Sequence, residues 1–501
     1  MRNQAQLITY VDRLAGDFAG VRDLLQGPLH GVFGGIHALP FFDPIDGSDA
    51  GFDPIDHREV DPRLGSWQDV DELGSSLPIM ADLIVNHVSA KSPQFQDFLA
   101  RGHDSPHARM FLTFDRVFPE GATEQDLLTI YRPRPGLPLT PVQAADRSKH
   151  IVWTTFTPAQ IDIDVHAPES RAYLEAILDR FAAHGIEMVR LDAVGYAVKT
   201  AGTSSFMTPE TFAFIDELTA LCHARGIEVL VEVHSYWRKQ VEIAEKVDLV
   251  YDFALPPLVL HALYTGRTTR LRRWARLRPH NAVTVLDTHD GIGVIDVGPD
   301  ASNVENLGLL SAEEVDELVE GIHEHSHGTS RLATGAAASN VDLYQVNCTF
   351  FDALGADDHA YLIARMLQVW LPGVPQIYYV GLFAGHNDVE LLHATGVGRD
   401  INRHHYTPAE IEQAMTRPVV RQQLALLRLR NTHAAFDGDW ALHDGGDHEL
   451  AMTWTNGDEV AHLAVDLAAR SFELTVTVDG QRRTITEVAE LTGLGATPRR
   501  A

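Results

Sequence analysis

The sequence predicts a (β/α)8 barrel, and three observations carry that expectation. Eight short apolar segments recur between Gln6 and Val380. Stretches of helical character alternate with them, as in a barrel of parallel strands. Several of the segments end in a charged residue, where such a barrel keeps its chemistry.

The first three strands are Gln6–Tyr10, Val32–Leu39 and Ile79–Asn86. Residues 87–168 break the rhythm with a proline- and aromatic-rich stretch containing Tyr131-Arg-Pro-Arg134-Pro-Gly136, which reads as an inserted domain. Helix Ser170–Gly185 then leads into strand Ile186–Ala193, and helix Thr208–Gly226 into strand Ile227–His234. Ser170 and Thr208 are N-cap residue types, Pro209 suits a first helical position, and Gly185 and Gly226 suit helix stops. Both strands are nearly all apolar, as expected when both faces of a parallel strand are buried. Asp248–Phe253, Ala282–Leu286 and Val374–Val380 complete the eight. A second excursion, 291–356, follows the seventh strand and becomes rich in Gly, Ala and Ser near its end. After a helix over Pro418–Phe436, alternation at Leu450–Trp454 and Phe472–Val478 predicts a small antiparallel β domain. The expected division is therefore barrel over 1–86, 169–290 and 357–436, an inserted domain over 87–168, an excursion over 291–356, and a β domain over 437–501. An open doubly wound sheet fits less well, because no Gly-rich phosphate loop follows the first strand.

A chain of 501 residues exceeds what one hydrophobic core sustains, and its 45% hydrophobic and 22% charged content is that of a globular protein. Its net charge of −29, from 40 basic and 69 acidic residues, excludes nucleic acid and anionic membrane as partners. An anionic substrate would need arginines gathered locally. No apolar run approaches a membrane span, and the first residues do not read as a secretory leader. The cysteines, Cys222 and Cys348, form no zinc motif and suit free thiols in a reducing cytoplasm. The count of 26 histidines carries no function by itself.

Arg190 and Asp192 end the fourth strand, Glu232 the fifth, and His289 and Asp290 the seventh. Residues two apart on a strand share a face, so Arg190 is expected beside Asp192, favouring its ionised form as a nucleophile. Glu232 follows the apolar run Val229–Val231, where burial suits a general acid. Any one of these carboxylates alone is equally well explained as a structural ion pair. Together at one rim they match the paired carboxylates of retaining glycosyl transfer.

The motifs Asp82-Leu-Ile-Val-Asn86-His87, Gly185-Ile-Glu-Met-Val-Arg190-Leu-Asp192, Val231-Glu232-Val-His234 and Asp287-Thr288-His289-Asp290, with Gln160-Ile-Asp-Ile-Asp164, stand in one order along the chain. In them the sequence resembles the alpha-amylase superfamily of glycoside hydrolases and transglycosylases. Thr288 departs from the asparagine usual at its position, which bears on the subfamily. Ala50-Gly-Phe52-Asp-Pro-Ile-Asp-His57, Ala193-Val-Gly-Tyr196, Asp342-Leu-Tyr344-Gln345, Gly398-Arg399-Asp-Ile-Asn-Arg403 and the Tyr131–Gly136 stretch are similar to the sucrose phosphorylase family within it.

That resemblance implies a hexosyltransferase that converts sucrose and inorganic phosphate reversibly into glucose 1-phosphate and fructose. Asp192 would be the nucleophile, Glu232 the acid/base and Asp290 the transition-state stabiliser. Asp49, Phe52, His87, Phe156, Gln160, Arg190, His289 and Arg399 would hold the glucosyl unit. Tyr196, Asp342, Tyr344 and Gln345 would face the acceptor, with Tyr131, Arg134 and Tyr344 meeting phosphate, and His234 would bind substrate. No cofactor is implied. Calcium, which some relatives bind in the inserted domain, finds no dense carboxylate loop here, and no metal is expected. A homodimer is the assembly the resemblance implies. Phosphorolysis of sucrose 6'-phosphate, glucosylglycerate or glucosylglycerol, hydrolysis, and an inactive binding protein are the alternatives; the intact Asp192, Glu232 and Asp290 argue against the last.

Overall fold

The computed structural model describes residues 3–47, 49–132, 136–300, 303, 305–334 and 345–494. Eight parallel strands close into a barrel: β1 (Gln6–Thr9), β2 (Gly35–Ala38), β3 (Ile79–Ile84), β4 (Ile186–Asp192), β5 (Glu228–Val231), β6 (Leu249–Asp252), β7 (Ala282–Thr284) and β8 (Val374–Tyr378). Each pairs with its neighbour in sequence, and β1 closes the ring against β8. All eight expected segments are strands, shorter than the apolar runs that announced them.

The helix predicted from Ser170 begins two residues earlier, with Pro168 at its first turn, and runs to Ala183. The Ser170 hydroxyl does not cap it; it donates to the Met110 carbonyl of the inserted segment at 3.2 Å. Thr208 does cap the next helix, Pro209–His223, accepting from the Thr211 amide. The helix Pro418–Thr432 stops short of the predicted Phe436, which falls in a 3₁₀ turn.

One face of the sheet points outward at the helices and joins the main core, while the other fills the barrel interior. Met80, Met188, Leu230, Tyr251 and Val283 form an apolar plug there. Polar side chains share the interior: the Tyr251 hydroxyl donates to Gln376 at 2.9 Å, and His37 Nε2 lies 3.1 Å from Asp82 Oδ2.

β9 (Asp439–His443), β10 (Glu449–Asn456), β11 (Glu459–Asp466), β12 (Ser471–Val478) and β13 (Gln481–Ile485) form an antiparallel meander, as the alternation predicted. It is keyed to helix Asp358–Trp370: the Trp370 indole donates to the Ala461 carbonyl at 3.1 Å, and the Trp454 indole to the Trp370 carbonyl at 2.7 Å. The segments entering β1 and β2 are tied by Asn431, whose side chain accepts from the Ala5 amide at 2.6 Å and donates to the Val32 carbonyl at 2.6 Å.

Candidate active site

The register of β3 and β4 sets Asp82 directly beside Arg190. The Arg190 side chain is 1% exposed and donates through Nη1 to Asp82 and to Asp192 Oδ1, the latter at 3.1 Å. Its Nη2 reaches Glu232 Oε1 at 2.8 Å. Three carboxylates thus compete for one buried guanidinium. For Asp82, burial works upward but Arg190 and His37 prevail and hold the carboxyl at about 2. For Asp192, burial prevails: it pushes the carboxyl well above its ordinary value against Arg190, and Glu232 and Asp82 add to the rise. The neighbour expected to keep Asp192 ionised is therefore present but shared.

Beyond β7 the chain lays His289 and Asp290 at the same rim, in the same pocket as Asp192 and Glu232. Burial works against ionisation of Asp290, yet Arg399, with Arg403 and His234, holds it far below the carboxylate range. Arg399 Nη1 sits 2.8 Å from Asp290 Oδ1. Arg403 donates from Nε to the His289 carbonyl at 2.9 Å. Thr288 takes part in the same bracing: its hydroxyl accepts from the Asp290 amide at 3.2 Å, and its carbonyl accepts from Asn402 at 2.9 Å. His289 is pushed down to about 3 by burial, with Arg190 and Arg403 adding to the fall, so it is a neutral imidazole at neutral pH. It stacks on Phe52 with ring centroids 5.1 Å apart, and Arg190 lies over the other ring at 5.4 Å.

These groups line one pocket. Asp49, Phe52, His87, Phe156 and Gln160 line it together with Asp192, Glu232, His289, Asp290 and Arg399. His87 Nε2 is fixed 2.9 Å from the Phe52 carbonyl oxygen, and the Gln160 amide lies 3.1 Å from the same nitrogen. Tyr131, Tyr196, His234 and Gln345 complete the wall that sequence reasoning named. Arg134, Asp342 and Tyr344 lie outside the described residues.

Phe206 and Val233 also line the pocket and went unnoticed in the sequence. Phe206 stacks on Tyr131 at 4.5 Å and packs on Tyr196 at 4.7 Å. Its loop is shaped by left-handed Ser205 and Met207, both at φ 51°, and Ala193, just after Asp192, sits at φ 55°. Such conformations cost a non-glycine residue energy and collect where a site is being shaped. A Cβ at Gly195 would lie 2.8 Å from the Phe206 ring, so only glycine admits that ring.

Two further charged features were not foreseen. Lys199 is buried, with its ammonium 2.5 Å from Asp162 Oδ2, 2.6 Å from Asn86 Oδ1 and 2.5 Å from the Tyr196 carbonyl. A fixed cation thereby ties β3, the inserted segment and the loop after Asp192. A lysine seven positions past a strand-end aspartate gives no sequence signal of that role. Glu232, His234 and Asp290 each offer a donor atom within 4.8 Å of the others, the metal-capable cluster found among the described residues. Each already has a partner, Arg190, Asp296 and Arg399 respectively.

Comparison with known proteins agrees with this geometry. The alpha amylase catalytic-domain family matches residues 9–416. A sucrose phosphorylase from Agrobacterium vitis is 58% identical over 481 residues, covering 96% of this chain and 98% of that protein. One from Bifidobacterium adolescentis is 55% identical over 467 residues, covering 93% of this chain and 92% of the relative. The crystal structure of sucrose 6F-phosphate phosphorylase from Thermoanaerobacter thermosaccharolyticum superposes with a TM-score of 0.89 at 36% identity, over 97% of this chain and 98% of that one. A closed parallel barrel, paired carboxylates around a shared arginine and full-length likeness converge: the chain belongs to the alpha-amylase family and, within it, to the sucrose phosphorylases.

Proposed function

We propose that the protein transfers an α-glucosyl unit between sucrose and phosphate by double displacement with net retention. The observation that carries this reading is the single guanidinium of Arg190 bridging Asp192 and Glu232 at 3.1 and 2.8 Å in the pocket that also holds Asp290. Burial, with Glu232 and Asp82 nearby, favours a proton on Asp192 while the site is empty. With sucrose bound, the glycosidic oxygen draws that proton onto Glu232 and Arg190 turns its charge to Asp192. Glu232 then protonates the departing fructose oxygen while Asp192 attacks C1 from the opposite face, forming a β-glucosyl ester. Asp290, kept ionised by its arginines, stabilises the positive charge that develops on the sugar ring. The neutral rings of His289 and His87 contact sugar hydroxyls without bringing unpaired charge into the pocket. Phosphate then displaces Asp192 and restores the α configuration.

On the acceptor side, Tyr131, Arg134 and Tyr344 are proposed to meet phosphate, and Asp342 and Gln345 fructose. The two buried free thiols support a reducing, cytoplasmic setting, and a homodimer is part of the same proposal. No helix among the described residues is long and apolar enough to cross a membrane.

The test is incubation with sucrose, with and without inorganic phosphate, with products identified and the first-formed anomer read by NMR. Phosphate-dependent α-glucose 1-phosphate and fructose are expected. Glucose alone overturns the reading in favour of hydrolysis, and turnover only with sucrose 6'-phosphate, glucosylglycerol or glucosylglycerate reassigns the substrate.

A further inference from the structure

His234 lies two residues past Glu232 and lines the same pocket, with its ring stacked on Phe253 at 3.9 Å. Its Nδ1 is 2.9 Å from Oδ2 of Asp296, a fully buried carboxylate in the excursion after β7. The other oxygen of Asp296 accepts from the Ser235 amide at 3.1 Å and from the Gln240 side chain at 2.7 Å. The carboxylate is thus satisfied from three directions and cannot swing away. Gly293, in the short pair Ile292–Gly293 with Gln345–Val346, leaves the space that the dyad needs: a Cβ there would run into Asp296 and come within 3.1 Å of His234 Nδ1. A deliberate gap, a clamped carboxylate and a ring facing the pocket make a carboxylate–histidine dyad beside the acid/base.

We propose that Asp296 is a positioning residue that holds His234 as an imidazolium, and that this cation receives the incoming phosphate beside Glu232. The proposal rests on the reading of the reaction as phosphorolysis. The charged groups facing His234 are Asp296, Glu232 and Asp290, with Arg399 behind Asp290 and Arg190 behind Glu232. Burial works against its charge, but Asp296, Glu232 and Asp290 outweigh it and raise the imidazole above its ordinary value. The need is plain on a chain of net charge −29, whose pocket is lined by four carboxylates. Arg399 and Arg190, the other positive groups described around it, are committed to Asp290 and to the catalytic pair. In the second half-reaction hydrogen phosphate gives its proton to ionised Glu232, and the freed oxygen bonds to C1. The C1–Asp192 ester bond breaks, leaving glucose 1-phosphate dianion, protonated Glu232 and ionised Asp192. His234 keeps its proton throughout and balances the phosphate charge.

α-Glucosyl fluoride as donor isolates this step, because it loads Asp192 without fructose. Partitioning of the glucosyl-enzyme between glucose 1-phosphate and glucose is then measured against phosphate concentration, from pH 6 to 8.5. In Asp296→Asn, the phosphate needed for half-maximal capture should rise at least about tenfold, as expected when a charge-assisted contact is lost. The alkaline limb of capture should move to lower pH, and Asp296→Glu should recover part of both effects. His234→Gln with Asp296 intact serves as the second variant should Asp296→Asn not fold, and should show the same rise in phosphate requirement. Unchanged capture and an unchanged alkaline limb in a folded variant overturn the proposal. So does an equal loss in loading and capture, which marks a purely structural role. Wild-type enzyme that gives glucose at every phosphate concentration fails the phosphorolysis reading itself, and is distinguishable from failure of the dyad.

Discussion

Among single residues, Arg190 decides how the site is charged. It neutralises one carboxylate's worth of charge among Asp82, Asp192 and Glu232, and its fork geometry lets one side chain reach all three. Two substitutions separate the roles on either side of it. Asp192→Asn removes the nucleophile while preserving shape, and glucosyl transfer should fall by several orders of magnitude with the thermal unfolding midpoint little changed. Normal turnover in that folded variant would show that another group attacks C1. Glu232→Gln removes the proton donor, so it should cripple transfer from sucrose, whose leaving oxygen needs protonation, and spare transfer from glucosyl fluoride. Comparable losses with both donors would place the acid elsewhere.

At the scale of elements, Lys199 shows how the inserted segment is locked to the barrel. Breaking a buried pair by removing one partner strands the other charge, at a cost of about 3–5 kcal/mol. Lys199→Met should lower stability by that order, measured by urea unfolding. It should also weaken substrate binding, because Asp162 and the Tyr196 loop lose their common anchor. Unaltered stability and KM would mean that the cage is dispensable.

Much of this scale was legible in the sequence. The eight strands were, because both faces of a parallel strand are buried and leave an uninterrupted apolar run. So was the C-terminal meander, because one-sided burial alternates. Strand ends were overestimated, since the apolar run continues past the ladder into the pocket: β7 ends at Thr284, and Val285 and Leu286 are buried beyond it. The start of the helix at Pro168 was misplaced because Ser170 is a good cap by type but spends its hydroxyl on Met110, a partner 60 residues away. The carboxylates of the site were readable from strand-end positions. Lys199, Phe206 and Asp296 were not, for their roles depend on contacts across loops that no local spacing encodes.

Over the whole molecule, buried neutral histidines set the acid limit. His57 is pushed down to about 4 and His289 to about 3, chiefly by burial. Unfolded, both would take up a proton near 6.5. The native state refuses that proton, so stability present above pH 6.5 is lost as pH falls toward 4 and 3. By pH 5 each contributes a loss of about 2 kcal/mol. The urea midpoint should therefore drop steeply between pH 7 and 5, and His57→Gln should flatten the slope. An equally steep slope in that variant would assign the acid sensitivity to other groups.

The closure of β1 against β8 has a consequence for how the chain is born. The first strand emerges from the ribosome early, yet Val374–Tyr378, which covers its open edge, is the last strand of the barrel to be made. At about 5–20 residues per second, the growing polypeptide spends tens of seconds with its opening strands unpaired on one edge. An edge of that kind recruits other strands readily. Newborn copies on a crowded message are thus exposed to one another for the length of a translation round. Holding those strands apart until the last barrel strand arrives falls to chaperones, or to the rate of synthesis itself.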